Sequence, residues 1–147
     1  MPNLFYLGLA ALSGAVMALQ GTLNTGLGKI TGIWESTLIV HLVGTITSLL
    51  IIFFLGVGFG NLDKVSSAPW YAYLGGVLNV LIIYAVVRSM PQIGVGNATT
   101  AIIVAQLITA CVIDSTGALG MKKVPFHYID ILGIVLLGVG ARILFME

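Results

Sequence analysis

The sequence predicts an all-α fold: a polytopic membrane protein with five transmembrane helices per chain. Three observations carry that prediction. Of 147 residues, 59% are hydrophobic and 7% are charged, whereas a soluble domain carries roughly 25% charged residues. The few charges divide the chain into runs long enough to cross a bilayer, which takes about 20 apolar residues. The apolar runs do not alternate with period two, which argues against a strand barrel. The same composition excludes a disordered chain, and a net charge of +1 gives no footprint for a nucleic-acid partner. The 19 glycines suit membrane helices, where glycine is commoner than in soluble ones. Cys111 is the lone cysteine, so no internal disulfide is possible. No Cys/His cluster has zinc-ligand spacing, and neither a metal nor a cofactor is expected.

The spans are expected at about 3–25, 34–58, 68–88, 91–114 and 125–145, within one transmembrane domain, 1–147. The first lies in the charge-free stretch 2–28. No Lys or Arg precedes it, so it is expected to be retained rather than cleaved as a signal peptide. Ser13, Gln20 and Asn24 share one stripe of this helix, because seven residues make nearly two turns and four make slightly more than one. Gly14, Ala18 and Gly21 form a neighbouring small-residue stripe, suited to close approach of another helix. Gln20 and Asn24 either hydrogen-bond between helices or line a pathway. Gly26, Gly28 and Gly32 flank Lys29 and suggest the first turn.

The second span has Trp34, Thr37, His41, Thr45 and Ser48 on one face, predicted to point into the protein. His41 lies about a third of the way through the span, and imidazole can titrate near neutrality. It is either a neutral core histidine or part of a pathway. Glu35 sits at the helix start, where a carboxylate suits the positive end of the dipole. The stretch 59–69 holds Gly60, Asn61, Asp63, Lys64 and Ser67 and reads as a polar linker.

In the third span Ala72, Gly76 and Asn79 share a face beside Gly75, while Trp70, Tyr71 and Tyr73 fit an interfacial aromatic belt. Arg88-Ser89-Met90-Pro91 is the predicted connection to the fourth span, with Pro91 in that helix's first turn. The fourth span carries Gln92, Thr99, Gln106 and Ile113 on one stripe, with Thr109 nearby and Asp114 closing the helix. Gln106 lies mid-helix, where a carboxamide needs partners. The fifth candidate, 124–141, is broken only by Asp130, expected near the interface. Its Gly133, Gly138 and Gly140 suggest a packing or dimerisation helix.

Five spans put the two termini on opposite membrane faces. One face then holds the amino terminus, Lys64, Lys122 and Lys123; the other holds Lys29, Arg88 and Arg142. Orientation normally follows an excess of Lys and Arg in cytoplasmic loops. Three stand against three, so the chain is expected to insert in both orientations.

A resemblance joins these features. Gln20-x3-Asn24-x2-Leu27 follows a Gly/Ala-rich first helix, Val43-Gly44-Thr45 lies in the second, and Pro69-Trp70 with Gly75-Gly76 lies in the third. Gln106 is followed by Asp114 and Gly117. In this order and spacing, over almost the whole chain, they resemble the YdcZ-type family of five-span bacterial membrane proteins in the drug/metabolite transporter superfamily. The sequence departs from that pattern at His41, often Asn in such proteins, and at Asn79, where Gly is usual. The resemblance implies a transporter of small solutes in the bacterial inner membrane, assembled from two five-helix halves in opposite orientations.

The expected function is therefore secondary transport by an antiparallel homodimer of ten helices, an inverted repeat with its site at the midplane. The substrate-binding residues would be Gln20, Asn24, His41, Asn79 and Gln106, contributed by both chains, and the partners would be the lipid bilayer, a second copy and a small-molecule substrate. No carboxylate lies deep in a span, which favours neutral or zwitterionic solutes over hydrophobic cations. The alternative is a non-transporting scaffold or assembly subunit that uses its polar residues only to bind helices together. An enzyme is disfavoured, because no Ser/His/Asp order, metal cluster or paired intramembrane carboxylates occur.

Overall fold

The computed structural model describes residues 4–56, 59–60 and 62–144. The expected span limits at 3, 57–58 and 145, and Asn61 of the polar linker, lie outside the described residues. The helices are α1 (Leu4–Thr31), α2 (Ile33–Phe54), α3 (Leu74–Ile93), α4 (Val95–Thr116) and α5 (Tyr128–Leu144), and no strand occurs among the described residues. Four segments are long and apolar enough to cross a membrane: Leu4–Thr31, Ile33–Phe54, Trp70–Ile93 and Val95–Thr116. The third of these includes a short 3₁₀ turn, Trp70–Tyr73, that leads into α3. α5 has 17 residues, about 25 Å of helix against a hydrocarbon core of about 30 Å.

Two connections differ from their expected places. α1 continues through Gly26, Gly28 and Lys29 to Thr31, so the turn is one residue, Gly32, at φ 100 and ψ 158. Residues 88–91 likewise stay helical within α3, and the chain breaks at Gly94, φ 80 and ψ 159. Pro91 thus lies in the last turn of α3 rather than the first turn of α4. Both breaks use a backbone region that is essentially open only to glycine. A proline near a helix end removes one backbone bond but does not reverse the chain direction, whereas a glycine in this region ends the helix within one residue.

The chain divides into two compact units, Met1–Pro91 and Gln92–Glu147. In the first, α1 and α2 form a hairpin about Gly32. Two side-chain rungs join α2 to α3. Trp34 stacks on Tyr84, ring centroids 5.1 Å apart at 21°, and His41 meets Asn79 at 3.1 Å. Advancing along α2 means retreating along α3, so these helices are antiparallel.

The core of this unit lies at one end: Gly21, Asn24 and Thr25 of α1, Ser36 and Thr37 of α2, and Ile83, Val87 and Met90 of α3 are buried. Its tightest approach is glycine-made. A Cβ on Gly28 would lie 2.5 Å from Val87 Cγ1, and one on Gly21 would lie 2.8 Å from Met90 Cε. The close seam therefore runs through Gly21 and Gly28. At Gly14 the space is open, so the seam expected at Gly14, Ala18 and Gly21 is displaced toward the end of α1. Thr25 donates to the Met90 thioether at 3.6 Å beside it.

In the second unit α4 and α5 pack together, with Gly138 facing Val104. Gly117 caps α4 in the left-handed conformation, φ 68, its N–H on the Ile113 carbonyl at 2.8 Å. Asp130 fixes the start of α5: its carboxylate accepts the His127 N–H at 2.9 Å, and its own N–H bonds the His127 carbonyl at 2.9 Å. This reciprocal pair places the negative charge at the positive end of the helix.

Candidate solute site

The polar face of α2 resolves into two halves. In the first half, Thr37 is buried and donates to the Ile33 carbonyl at 2.7 Å, and Trp34 lies against Tyr84. His41 is half-buried, its Nδ1 2.7 Å from the Thr37 carbonyl and its Nε2 3.1 Å from the Asn79 carboxamide nitrogen. A carbonyl can only accept, so Nδ1 carries the hydrogen. In the neutral ring Nε2 is then the acceptor, and Asn79 donates to it. In the second half, Thr45 and Ser48 are exposed, yet their hydroxyls bond the His41 and Gly44 carbonyls at 2.8 and 2.9 Å. Hydroxyls bonded to the preceding turn need no other partner. Of the face expected to point inward, only Thr37 is buried and His41 half-buried; Trp34, Thr45 and Ser48 are exposed.

The carboxamides behave differently. Asn24 is 7% exposed and has no hydrogen bond among the described residues. Gln20, four residues earlier on the same stripe, is exposed and likewise unbonded, as is Gln106 in the second unit. Asn97 shows the contrast, since its Nδ2 bonds the Ile93 carbonyl at 3.0 Å. Among the described residues, therefore, Gln20, Asn24 and Gln106 do not bind helices to one another. An unpaired amide in an apolar medium costs roughly 2–7 kcal/mol, and no water is present in hydrocarbon to offset this.

Of the five expected residues, the structure joins His41 to Asn79. Gln20 and Asn24 share α1 of the same unit, and Gln106 belongs to the other unit. Asn79 also begins a stripe that stripe arithmetic left short: Asn79, Ile83, Val87 and Met90 recur at helical spacing, and the last three are buried. At its other end Gly75 and Gly76 have open space where a side chain would stand. Sequence reasoning missed Tyr84. It lies five residues after Asn79, about 140° around the helix, so only its aromatic size signalled that it could reach α2. Among the described residues no group of three His, Cys, Asp or Glu side chains gathers to hold a metal.

Glu35, Lys29 and Arg88 stand at the end of the first unit where its core lies, with the Glu35 carboxylate over Gly32. Lys64 falls at the opposite end, between α2 and α3. Three antiparallel helices require this alternation.

The family described as "Putative inner membrane exporter, YdcZ" matches residues 5–143. No curated protein and no solved structure matches the chain. Long apolar helices, polar groups left open within them and a match over nearly the full length agree: the chain is a multi-pass inner membrane protein and belongs to the YdcZ family of membrane transporters.

Proposed function

We propose that this protein is a secondary transporter of a small neutral or zwitterionic solute, working as an antiparallel pair of chains with alternating access between them. Each chain is one transmembrane half, 1–147, and the solute contacts Gln20, Asn24, His41, Asn79 and Gln106. The observation that carries this reading is the set of unpaired carboxamides at Gln20, Asn24 and Gln106 inside apolar helices. None of the three has a hydrogen-bonding partner among the described residues, and a second chain around a solute-filled cavity would supply one.

Two further features support it. At most 11% of the most apolar window of any long helix is buried within the chain, so most of its surface is left for lipid and another protein. The open faces at Gly75 and Gly76 allow close approach of that protein. The family description supports movement outward.

A thermal-shift screen of amino acids, sugars, polyols and nucleosides on purified protein in lipid nanodiscs tests the reading. A ligand at 100 times its Kd stabilises the folded state by about 2.7 kcal/mol. The expected result is a saturable rise in Tm with one chemical class, lost in Gln106→Leu. Solute-driven stabilisation that persists unchanged in Gln20→Leu, Asn24→Leu and Gln106→Leu would move the site elsewhere.

A further inference from the structure

His41 is the ninth residue of the 22-residue α2, about 12 Å along the helix from its start. The acidic side chains near spans sit at helix ends instead: Glu35 and Asp130 in first turns, Asp114 in the last turn of α4. Histidine is also the side chain that changes charge in the physiological pH range. Its two ring nitrogens are both engaged, and in different ways. Nδ1–H is tied to a backbone carbonyl of its own helix, and the Nε2 lone pair meets a carboxamide from another helix.

That carboxamide is an adaptable partner. Asn79 is exposed and has no second hydrogen bond among the described residues, so nothing opposes a half-turn about its terminal bond. With its NH₂ toward the ring it serves the neutral imidazole; with its oxygen toward the ring it serves the imidazolium. The proton added from water takes the Nε2 lone pair, the Asn79 N–H···N bond is exchanged for an N–H···O bond, and the bond to Thr37 is unchanged. Neither state leaves a ring nitrogen unpaired. The bond in the charged state is the stronger kind, because one partner is ionised.

Within the first unit, no other charged or titratable side chain among the described residues bonds the ring. On α2, Glu35 lies six residues away, about 9 Å along the axis. On α3, Tyr84 stacks on Trp34 and Arg88 lies nine residues past Asn79. Tyr73, just before α3, is held on the Val65 carbonyl. On α1, Lys29 is in the last turn and Tyr6 near the opposite end. Among the described residues none of them bonds the imidazole.

We propose that the His41 imidazole, held between the Thr37 carbonyl and the Asn79 carboxamide, is the proton-binding site of this carrier. Coupling of that proton to solute movement rests on the transporter reading; uptake of the proton by His41 does not.

The test is ¹⁵N NMR of histidine-labelled full-length protein in lipid nanodiscs. The chain has two histidines, so His127→Gln leaves the His41 signals alone. At high pH the hydrogen is expected on Nδ1, with Nε2 pyridine-like, and acidification should convert both nitrogens to the protonated type. Asn79→Leu removes the partner of both states and should shift the Nε2 signal of both the neutral and the protonated ring. A neutral ring with its hydrogen on Nε2, a ring that stays neutral until the protein unfolds, or Nε2 signals unmoved by Asn79→Leu would each overturn the proposal. If His41 titrates as expected and no solute binds, only the transporter reading fails. If a solute binds while His41 does not titrate, only the proton site fails.

Discussion

Single residues decide how closely α1 and α3 approach, and Gly28, Gly21 and Gly14 of α1 rank by what faces them. At Gly28 a Cβ would meet Val87 Cγ1 at 2.5 Å and Ser36 Oγ at 3.3 Å. Valine is stiff at χ1, so this neighbour cannot yield without moving backbone. Gly28→Ala should destabilise the chain by about 1–3 kcal/mol, in the range of an overpacked core. At Gly21 the nearest atom is the end of the flexible Met90 side chain, and Gly21→Ala should cost clearly less. At Gly14 nothing lies within 4 Å, so Gly14→Ala should be neutral or slightly stabilising through helix propensity. Urea or SDS unfolding of the three variants in mixed micelles gives the order, and Val87→Ala should rescue Gly28→Ala. The carboxamides give a second residue-scale prediction. Interhelical hydrogen bonds in membranes average about 0.6 kcal/mol, so Asn24→Leu and Gln106→Leu should remain assembled and monodisperse on size exclusion while losing response to the stabilising solute. Loss of assembly in both would instead make them structural contacts.

At the scale of elements, the breaks between helices matter most. Gly32 and Gly94 each break the helix with one residue at positive φ and extended ψ, and at Gly32 the chain reverses into the α1–α2 hairpin. A non-glycine residue there costs of order 1–3 kcal/mol. Gly32→Ala should therefore lower stability by about that amount, and an inserted Gly-Ser pair after Gly32 should be tolerated better than the alanine. Proteolysis or unfolding in micelles distinguishes the two. Equal stability of Gly32→Ala and wild type would mean that the hairpin does not depend on this turn. The same elements show why the sequence was only partly legible here. Gly26, Gly28, Gly32 and Pro91 all carry turn signals, but hydropathy continues through the first two and through Pro91. In hydrocarbon a continuous helix satisfies every backbone group, so the chain stays helical until a conformation closed to other residues intervenes.

For the whole molecule, the balance of charge governs insertion. Three Lys or Arg on each expected face leave the positive-inside bias without a direction. Single-cysteine labelling at the amino terminus, in a Cys111→Ser background, should find accessible and protected populations together in cells. Adding two or three Lys there should shift the population toward a cytoplasmic amino terminus and impair function unless a partner of opposite bias is supplied. One uniform orientation in the unmodified protein would remove the antiparallel pairing. The unpaired carboxamides would then need solute or water from within a parallel assembly.

The sequence by itself determined the helical membrane class, the approximate spans, the polar residues within them and the balanced charges. These follow from transfer of side chains and backbone between water and hydrocarbon, which acts along the chain and needs no knowledge of neighbours. Only the tertiary structure decided which polar groups meet. Periodicity put His41 and Asn79 on the faces of two separate helices, but their bond depends on the depth and rotation of α2 against α3, where it lies in register with the Trp34–Tyr84 stack. It likewise moved the close seam to Gly21 and Gly28 and left Gln20, Asn24 and Gln106 without hydrogen-bond partners among the described residues. Helix rotation is fixed by packing between elements, so a one-dimensional pattern places a residue on a face but does not name what stands opposite.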